Sequence, residues 1–192
     1  MKAGIVFTLF AALGTFAGNA MADWRVMEAS SITYVSTKNN LIAENNQFTT
    51  VTGGITSKGQ ASLRIDLSSV ETNVEIRNQR MRDIFFEVTN YPEAVITAQL
   101  QPQDIAQIES GAPLDIDLPL TISLHGITAE TSAKLRAAKV GQRIWVTTRE
   151  PLLISARDFG LEAGVAALQE IAGLNGIAST VPVTIDLRLQ TN

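Results

Sequence analysis

Apolar and polar residues alternate along most of this chain. Leu114, Ile116, Leu118, Leu120, Ile122 and Leu124 fall on one side of a continuous run, and Asp115, Asp117, Pro119, Thr121 and Ser123 fall on the other. Period two is the mark of a strand with one dry and one wet face. Val181, Val183, Ile185, Leu187 and Leu189 repeat the pattern near the C-terminus, opposed by Pro182, Thr184, Asp186 and Arg188, and Ala61, Leu63, Ile65 and Leu67 repeat it again. Further strands are predicted over Trp24–Met27, Ile32–Ser36, Gln47–Val51, Ala94–Leu100, Ile127–Ala138, Arg143–Thr148 and Leu152–Ala156. Turn residues separate them, among them Gly53-Gly54, Lys58-Gly59, Gly111, His125-Gly126 and Gly141.

That makes about eight to ten strands joined by short connections. Parallel strands need long crossovers and read as continuous apolar runs, so alternation argues for an antiparallel meander. Each strand has one apolar face to bury, and closing the sheet on itself buries that face while removing exposed edges. An all-β antiparallel barrel meets both demands.

Two segments depart from period two. Ile76, Met81, Ile84, Phe85 and Val88 have helical spacing, and Tyr91-Pro92 ends that stretch. From Leu161 to Gly173, Val165, Leu168, Ile171 and Ala172 share one helical face, with Gly173 and Asn175-Gly176 as the stop. These predict one or two short helices capping the barrel ends. The polar stretch Lys38–Gln47 reads as a loop or an irregular strand.

Composition adds a destination. Lys2, the apolar run Ala3–Gly18 and the small-x-small triplet Ala20-Met21-Ala22 match an n-region, an h-region and a cleavage site. The expected organisation is a cleaved signal peptide over 1–22 and one domain over 23–192, in an exported, periplasmic protein. Removing Lys2 from the 15 basic residues leaves 14 against 19 acidic ones, a net charge of −5. A nucleic-acid partner, which needs clustered Lys and Arg, is not expected. The chain has no cysteine, so stability must come from a buried core and thiol chemistry is excluded.

Candidate chemistry is sparse. Triads and most proton shuttles need His or Cys, and the single His125 lies in a hairpin turn with no orienting partner visible. Asp115 and Asp117 share the face opposite the leucines, which reads as a solvated edge rather than a metal site. Arg77, Arg80 and Arg82 fall in the first helical stretch beside Glu75 and Asp83. They read as surface ion pairs or as a guanidinium meeting a ligand's polar head, with Arg82 the best placed for the second role. Phe85, Phe86, Trp145, Phe159, Leu118, Leu120 and Ile122 are core residues, and in a hollow barrel they would also be the ligand wall.

Three stretches resemble the YceI-like family. Ser69, Thr72, Arg77, Arg82, Phe85, Phe86, Tyr91 and Pro92 match its Ser-x-x-Thr, Arg-containing helix, aromatic pair and Tyr-Pro. Leu120, Thr121, Gly126 and Thr128 match its hairpin, and Arg157, Phe159 and Gly160 its Arg-x-Phe-Gly stretch. The chain departs from many members at Arg77-Asn78 and Arg80, and in a longer connection over Leu161–Ile177. The resemblance implies a lipocalin-like barrel of about eight strands. It also implies a periplasmic, non-enzymatic protein holding an apolar small-molecule ligand such as a polyprenyl or quinone-type lipid, with no cofactor required. Burying ~300 Å² of such a chain would contribute about 7 kcal/mol before association costs. Two other classes stay open: an isomerase- or cyclase-type enzyme on an apolar substrate, and an interaction protein serving an inner-membrane redox partner. Transient contact with the inner membrane, for which the Leu161–Gly173 helix is the candidate, and a homodimer stay open as well.

Overall fold

The structure, a computed structural model, describes residues 23–191. The expected signal peptide at 1–22 lies outside the described residues. The elements run β1 (Trp24–Val26), β2 (Ser31–Lys38), β3 (Ile42–Phe48), β4 (Val51–Ile55), β5 (Gln60–Asp66), β6 (Val70–Glu71), α1 (Glu75–Arg80), β7 (Glu93–Gln99) and α2 (Pro102–Glu109). They continue through β8 (Leu114–Leu124), β9 (Ile127–Val140), β10 (Arg143–Thr148), β11 (Leu152–Ser155), α3 (Glu162–Ala172) and β12 (Thr180–Thr191).

The strand segments merge into a closed antiparallel barrel of eight. β12 pairs first with β1 and then with β2 along one edge, and with β10 and then β11 along the other. β1/β2 and β10/β11 are therefore long strands interrupted by a bend. β3/β4 is a third, broken at Thr49-Thr50, where Thr49 N–H donates to the Ser69 carbonyl and Thr50 N–H to Ser69 Oγ. Strand order follows chain order, and the ring shuts where Trp24 meets Thr191 and Val26 meets Leu189. Closure leaves the ring no free edge, as the sequence pattern required.

Alternation is realised as read. Along β8, Leu114, Leu118, Leu120 and Ile122 are buried while Asp115, Asp117 and Pro119 are exposed. On β12, Ile185, Leu187 and Leu189 point inward. Outward charges pair across strands: Arg136 Nη2 lies 2.7 Å from Asp115 Oδ2, and Lys134 Nζ lies 2.9 Å from Glu150 Oε2. Asp115 is thus an outer-face ion-pair residue, its carboxyl held below the usual range chiefly by the Arg136 hydrogen bond. At Gly53 (φ +126°) a side chain is sterically forbidden, because a Cβ would stand 2.0 Å from the Ser62 carbonyl oxygen on β5.

Three local readings change. The stretch Lys38–Gln47 is a hairpin tip followed by the regular strand β3. The first helical stretch is α1 followed by one wide π turn over Met81–Phe85, in which Phe86 N–H donates to the Met81 carbonyl. α2 was not anticipated, yet it carries local signals: Pro102 in the first turn, and Asp104 accepting from the Gln101 N–H in a capping box. The second predicted helix is α3, ended by Gly173 at φ +61°.

Candidate functional site

Among the described residues, the inward faces line a larger and a smaller space. The larger has a volume of about 190 Å³ and lies under α1, the π turn and α3; the smaller, about 70 Å³, lies toward α2. Ile96 and Ile185 line both and form the partition between them. The smaller space is bounded by aliphatic side chains alone, whereas the larger has walls of three kinds.

Its floor is aliphatic, built from Ile96, Ile122 and Ile185. One side is aromatic. Tyr34 and Phe48 stand with ring centroids 5.7 Å apart, Phe48 and Phe86 likewise 5.7 Å, and Phe86 meets Phe85 edge-on at 4.7 Å. Strand periodicity delivers Tyr34 and Phe48 to the interior from β2 and β3, and the π turn puts Phe85 and Phe86 beside them. The roof is α3, whose Val165 and Leu168 face the cavity. No residue of α3 is fully buried. It rests on the π turn through Gly164, where a Cβ would come within 3.0 Å of Phe85 Cδ2.

The third wall is polar, with Ser36, Asn46, Thr72, Arg77 and the Tyr34 hydroxyl. Most of it is tied down. Asn46 Nδ2 donates to Ser36 Oγ at 3.0 Å and to the Glu44 carbonyl at 3.1 Å. Thr72 Oγ1 donates to Asn78 Oδ1 at 2.6 Å, and Asn78 Nδ2 donates to Glu71 Oε1 at 3.0 Å. The Arg77 guanidinium is fixed by Glu44 Oε2 at 2.6 Å and the Thr72 carbonyl at 2.5 Å. The Lys38 ammonium, hydrogen-bonded to Glu44, is the main cause that holds the Glu44 carboxyl below its usual range, and Arg77 adds to it. Two atoms in this wall are buried without a partner, Tyr34 Oη and Arg77 Nε. Each donor left unmet in a buried site costs about 1–3 kcal/mol. Burial pushes the Tyr34 phenol far above its ordinary pKa, so it stays a neutral hydroxyl.

Phe85, Phe86, Ile122 and Phe159 line the larger space, and Leu118 and Leu120 line the smaller one. Two expected site residues are corrected. Trp145 is 43% exposed and lies on the outside of β10, between the buried Ile144 and Val146, with the Arg188 guanidinium 4.4 Å above its ring. Period two along that strand puts it outward. Arg82 does not line either space; its Nη2 bonds Glu75 Oε1 at 2.8 Å. Arg77, more than one helical turn earlier, takes the inward position. Tyr34, Ser36 and Asn46 were missed because a polar inner face erases alternation. His125 lies in the β8–β9 turn at φ +52°, against Tyr91 at 4.2 Å and 3.5 Å from Glu87 Oε1, and lines neither space.

A search of curated protein sequences returned no match. Among solved structures, the chain is similar to a polyisoprenoid binding domain from Saccharophagus degradans implicated in plant cell wall breakdown. Identity is 35%, with 90% of this chain and 100% of that one covered and a TM-score of 0.85. Burkholderia cenocepacia BcnA shares the fold at 16% identity and TM-score 0.65, over 85% of this chain and 98% of that one. A Campylobacter jejuni YCEI protein does so at 12% and 0.55, over 77% and 84%. A YceI-like domain is recognised from residue 24 to residue 189, which is nearly all of the described barrel, and the chain belongs to the YceI-like family.

Proposed function

We propose that this protein is an exported, periplasmic carrier that holds an isoprenoid-type lipid in the cavity beneath α3 and performs no covalent step on it. The observation that carries this is the cavity itself: a hollow, aromatic and aliphatic interior at one end of a barrel whose other end is nearly filled. The 35%-identical Saccharophagus domain, described as polyisoprenoid binding, supports the ligand class. Among the described residues lining the larger space, the titratable groups are Tyr34 and Arg77. Burial keeps the Tyr34 phenol protonated, and a guanidinium offers donors and no acceptor, so neither is a general base, which favours holding over turnover.

Native mass spectrometry of protein recovered from its host's periplasmic fraction tests this directly. The expected result is an adduct that partitions into organic solvent and is replaced by an added fifteen-carbon isoprenoid. A protein that carries no adduct and takes up no such probe is not a carrier of this kind.

A further inference from the structure

We propose that the Asn175-Gly176 peptide link is a site of spontaneous deamidation, and that its isoaspartate product unfastens the roof helix α3 from the tip of the β2–β3 hairpin. The site lies in the tether between α3 and β12, and its chemistry is independent of what the cavity holds.

Asn175-Gly176 is the chain's single Asn-Gly pair. An asparagine carboxamide is open to attack by the main-chain nitrogen of the next residue, and glycine eases the approach because it has no side chain in the way. Regular structure forbids this by holding that nitrogen in a hydrogen bond and fixing the dihedrals around it. Here neither restraint applies. The link falls in the irregular segment between Gly173, which ends α3, and Thr180, where β12 begins. Among the described residues, no acceptor holds the Gly176 N–H and no hydrogen bond ties the Asn175 carboxamide. Asn175 is exposed, and a Cβ placed on Gly176 would meet nothing within 4 Å, so the ring and the water that opens it both have room.

The step needs only water. The Gly176 nitrogen gives its proton to solvent and bonds to Asn175 Cγ, the Cγ–Nδ2 bond breaks, and the amino group takes a proton and leaves as ammonia. A succinimide results, with no change of oxidation state. Water attacking at Cγ opens the ring to aspartate. Water attacking at the Asn175 carbonyl carbon breaks that carbon's bond to the Gly176 nitrogen, and the chain then runs through Cβ and Cγ, one carbon longer.

That extra carbon falls inside a clamp. Asn39, at φ +51° in the β2–β3 turn, grips both sides of the link: Asn175 N–H donates to Asn39 Oδ1 at 2.8 Å, and Asn39 N–H donates to the Gly176 carbonyl at 2.8 Å. Farther on, Ala178 N–H donates to the Thr37 carbonyl at 2.8 Å. Lengthening the chain by about 1.5 Å between the two atoms that Asn39 holds is incompatible with both bonds while Asn39 keeps its turn conformation. α3 has no fully buried residue to anchor it, so loss of the clamp passes to the helix as easier local opening.

The full mature chain is aged in warm, mildly alkaline buffer beside a free peptide of residues 172–178. Peptide-mapping mass spectrometry reads conversion as a gain of about 1 Da in the fragment containing Asn175, and enzymatic methylation of the new carboxylate identifies isoaspartate. The folded chain should convert within about tenfold of the free peptide's rate. Gly176→Ala, whose methyl the structure accommodates, should convert at least about tenfold more slowly. Hydrogen exchange then compares α3 before and after ageing. Loss of one or two neutral hydrogen bonds implies exchange at least about fivefold faster across Glu162–Ala172 in the isoaspartate form. Asn175→Asp, which adds the charge without lengthening the chain, should match the fresh protein. A folded chain that stays unmodified while the free peptide converts, or Gly176→Ala converting as fast as the wild type, overturns the deamidation site. Conversion that leaves α3 exchange unchanged, or Asn175→Asp loosening α3 as much as ageing does, overturns the unfastening.

Discussion

The two ends of the barrel are closed by helices in different ways. At the α2 end, Ile105 and Ile108 are buried, 8% and 2% exposed, and they insert among inward leucines such as Leu114 and the fully buried Leu189. Only about 70 Å³ stays open there. At the other end, α3 is laid across the mouth, with Val165 and Leu168 half-buried over a space of about 190 Å³. Identical strands thus support a packed core in one half and a vessel in the other. The difference lies in whether the capping helix drives its apolar residues into the barrel or spans it. Stability and capacity are accordingly assigned to separate regions, so substitutions should divide them.

The sharpest division is expected between Leu189→Ala and Leu168→Ala. Leu189 is completely buried, and its truncation should cost about 2–5 kcal/mol in denaturant unfolding, as for other buried leucines. Leu168 borders open space, and its loss should cost about 1 kcal/mol or less while speeding ligand release. Equal stability losses at the two sites would mean that the mouth is as tightly packed as the base. Next in size is Ile96→Val, which trims one methyl from the partition. It should destabilise by about 0.5–1.5 kcal/mol and raise the affinity of a twenty-carbon isoprenoid relative to a fifteen-carbon one. An unchanged length preference would show that the two spaces do not join.

The smallest effect concerns acid. Glu44 has a pKa lowered from 4.5 in the folded protein, so its stabilising contribution is present above that value. It is lost as pH falls through the lowered folded pKa. Glu44 is about a third exposed, and solvent screening holds the contribution to about 1 kcal/mol or less. The difference in urea midpoint between wild type and Glu44→Gln should be visible near neutral pH and shrink in acid. A difference that persists unchanged into strong acid would trace to packing and not to charge.

The barrel was legible wherever the wall is apolar inside and polar outside. β8, β12 and β5 follow their alternation residue by residue. It was illegible over Lys38–Gln47, and the reason is the site. Asn46 is 4% exposed, yet polar, so β3 presents polar residues on both faces and shows no period. The same cause hid Ser36 and Tyr34, because β2 carries hydroxyls on both faces, Tyr34 and Ser36 on the inner and Thr33 and Thr37 on the outer. Arg77 and Arg82 were indistinguishable as letters, because a short helix ending in a π turn has no repeating face long enough to assign inward and outward. Trp145 was legible from position alone, since its neighbours Ile144 and Val146 claim the interior and period two turns it outward. The helix α2 carried its proline and capping signals in plain view, masked by a scarcity of apolar residues around Ile105 and Ile108.

One feature of the ring governs its history as well as its shape. β12 is the shared neighbour of β1, β2, β10 and β11, so the first and last described strands are each other's partners. A chain made from its N-terminus onward can assemble hairpins such as β8–β9 early, but the circle stays open until Thr180–Thr191 arrives. Pairings of such long sequence separation are slow to form. The interval before they form is when inward leucines and unpaired strand edges face the surroundings. A chain cut before β12 would therefore be a sheet with two sticky margins and no enclosed interior to fill.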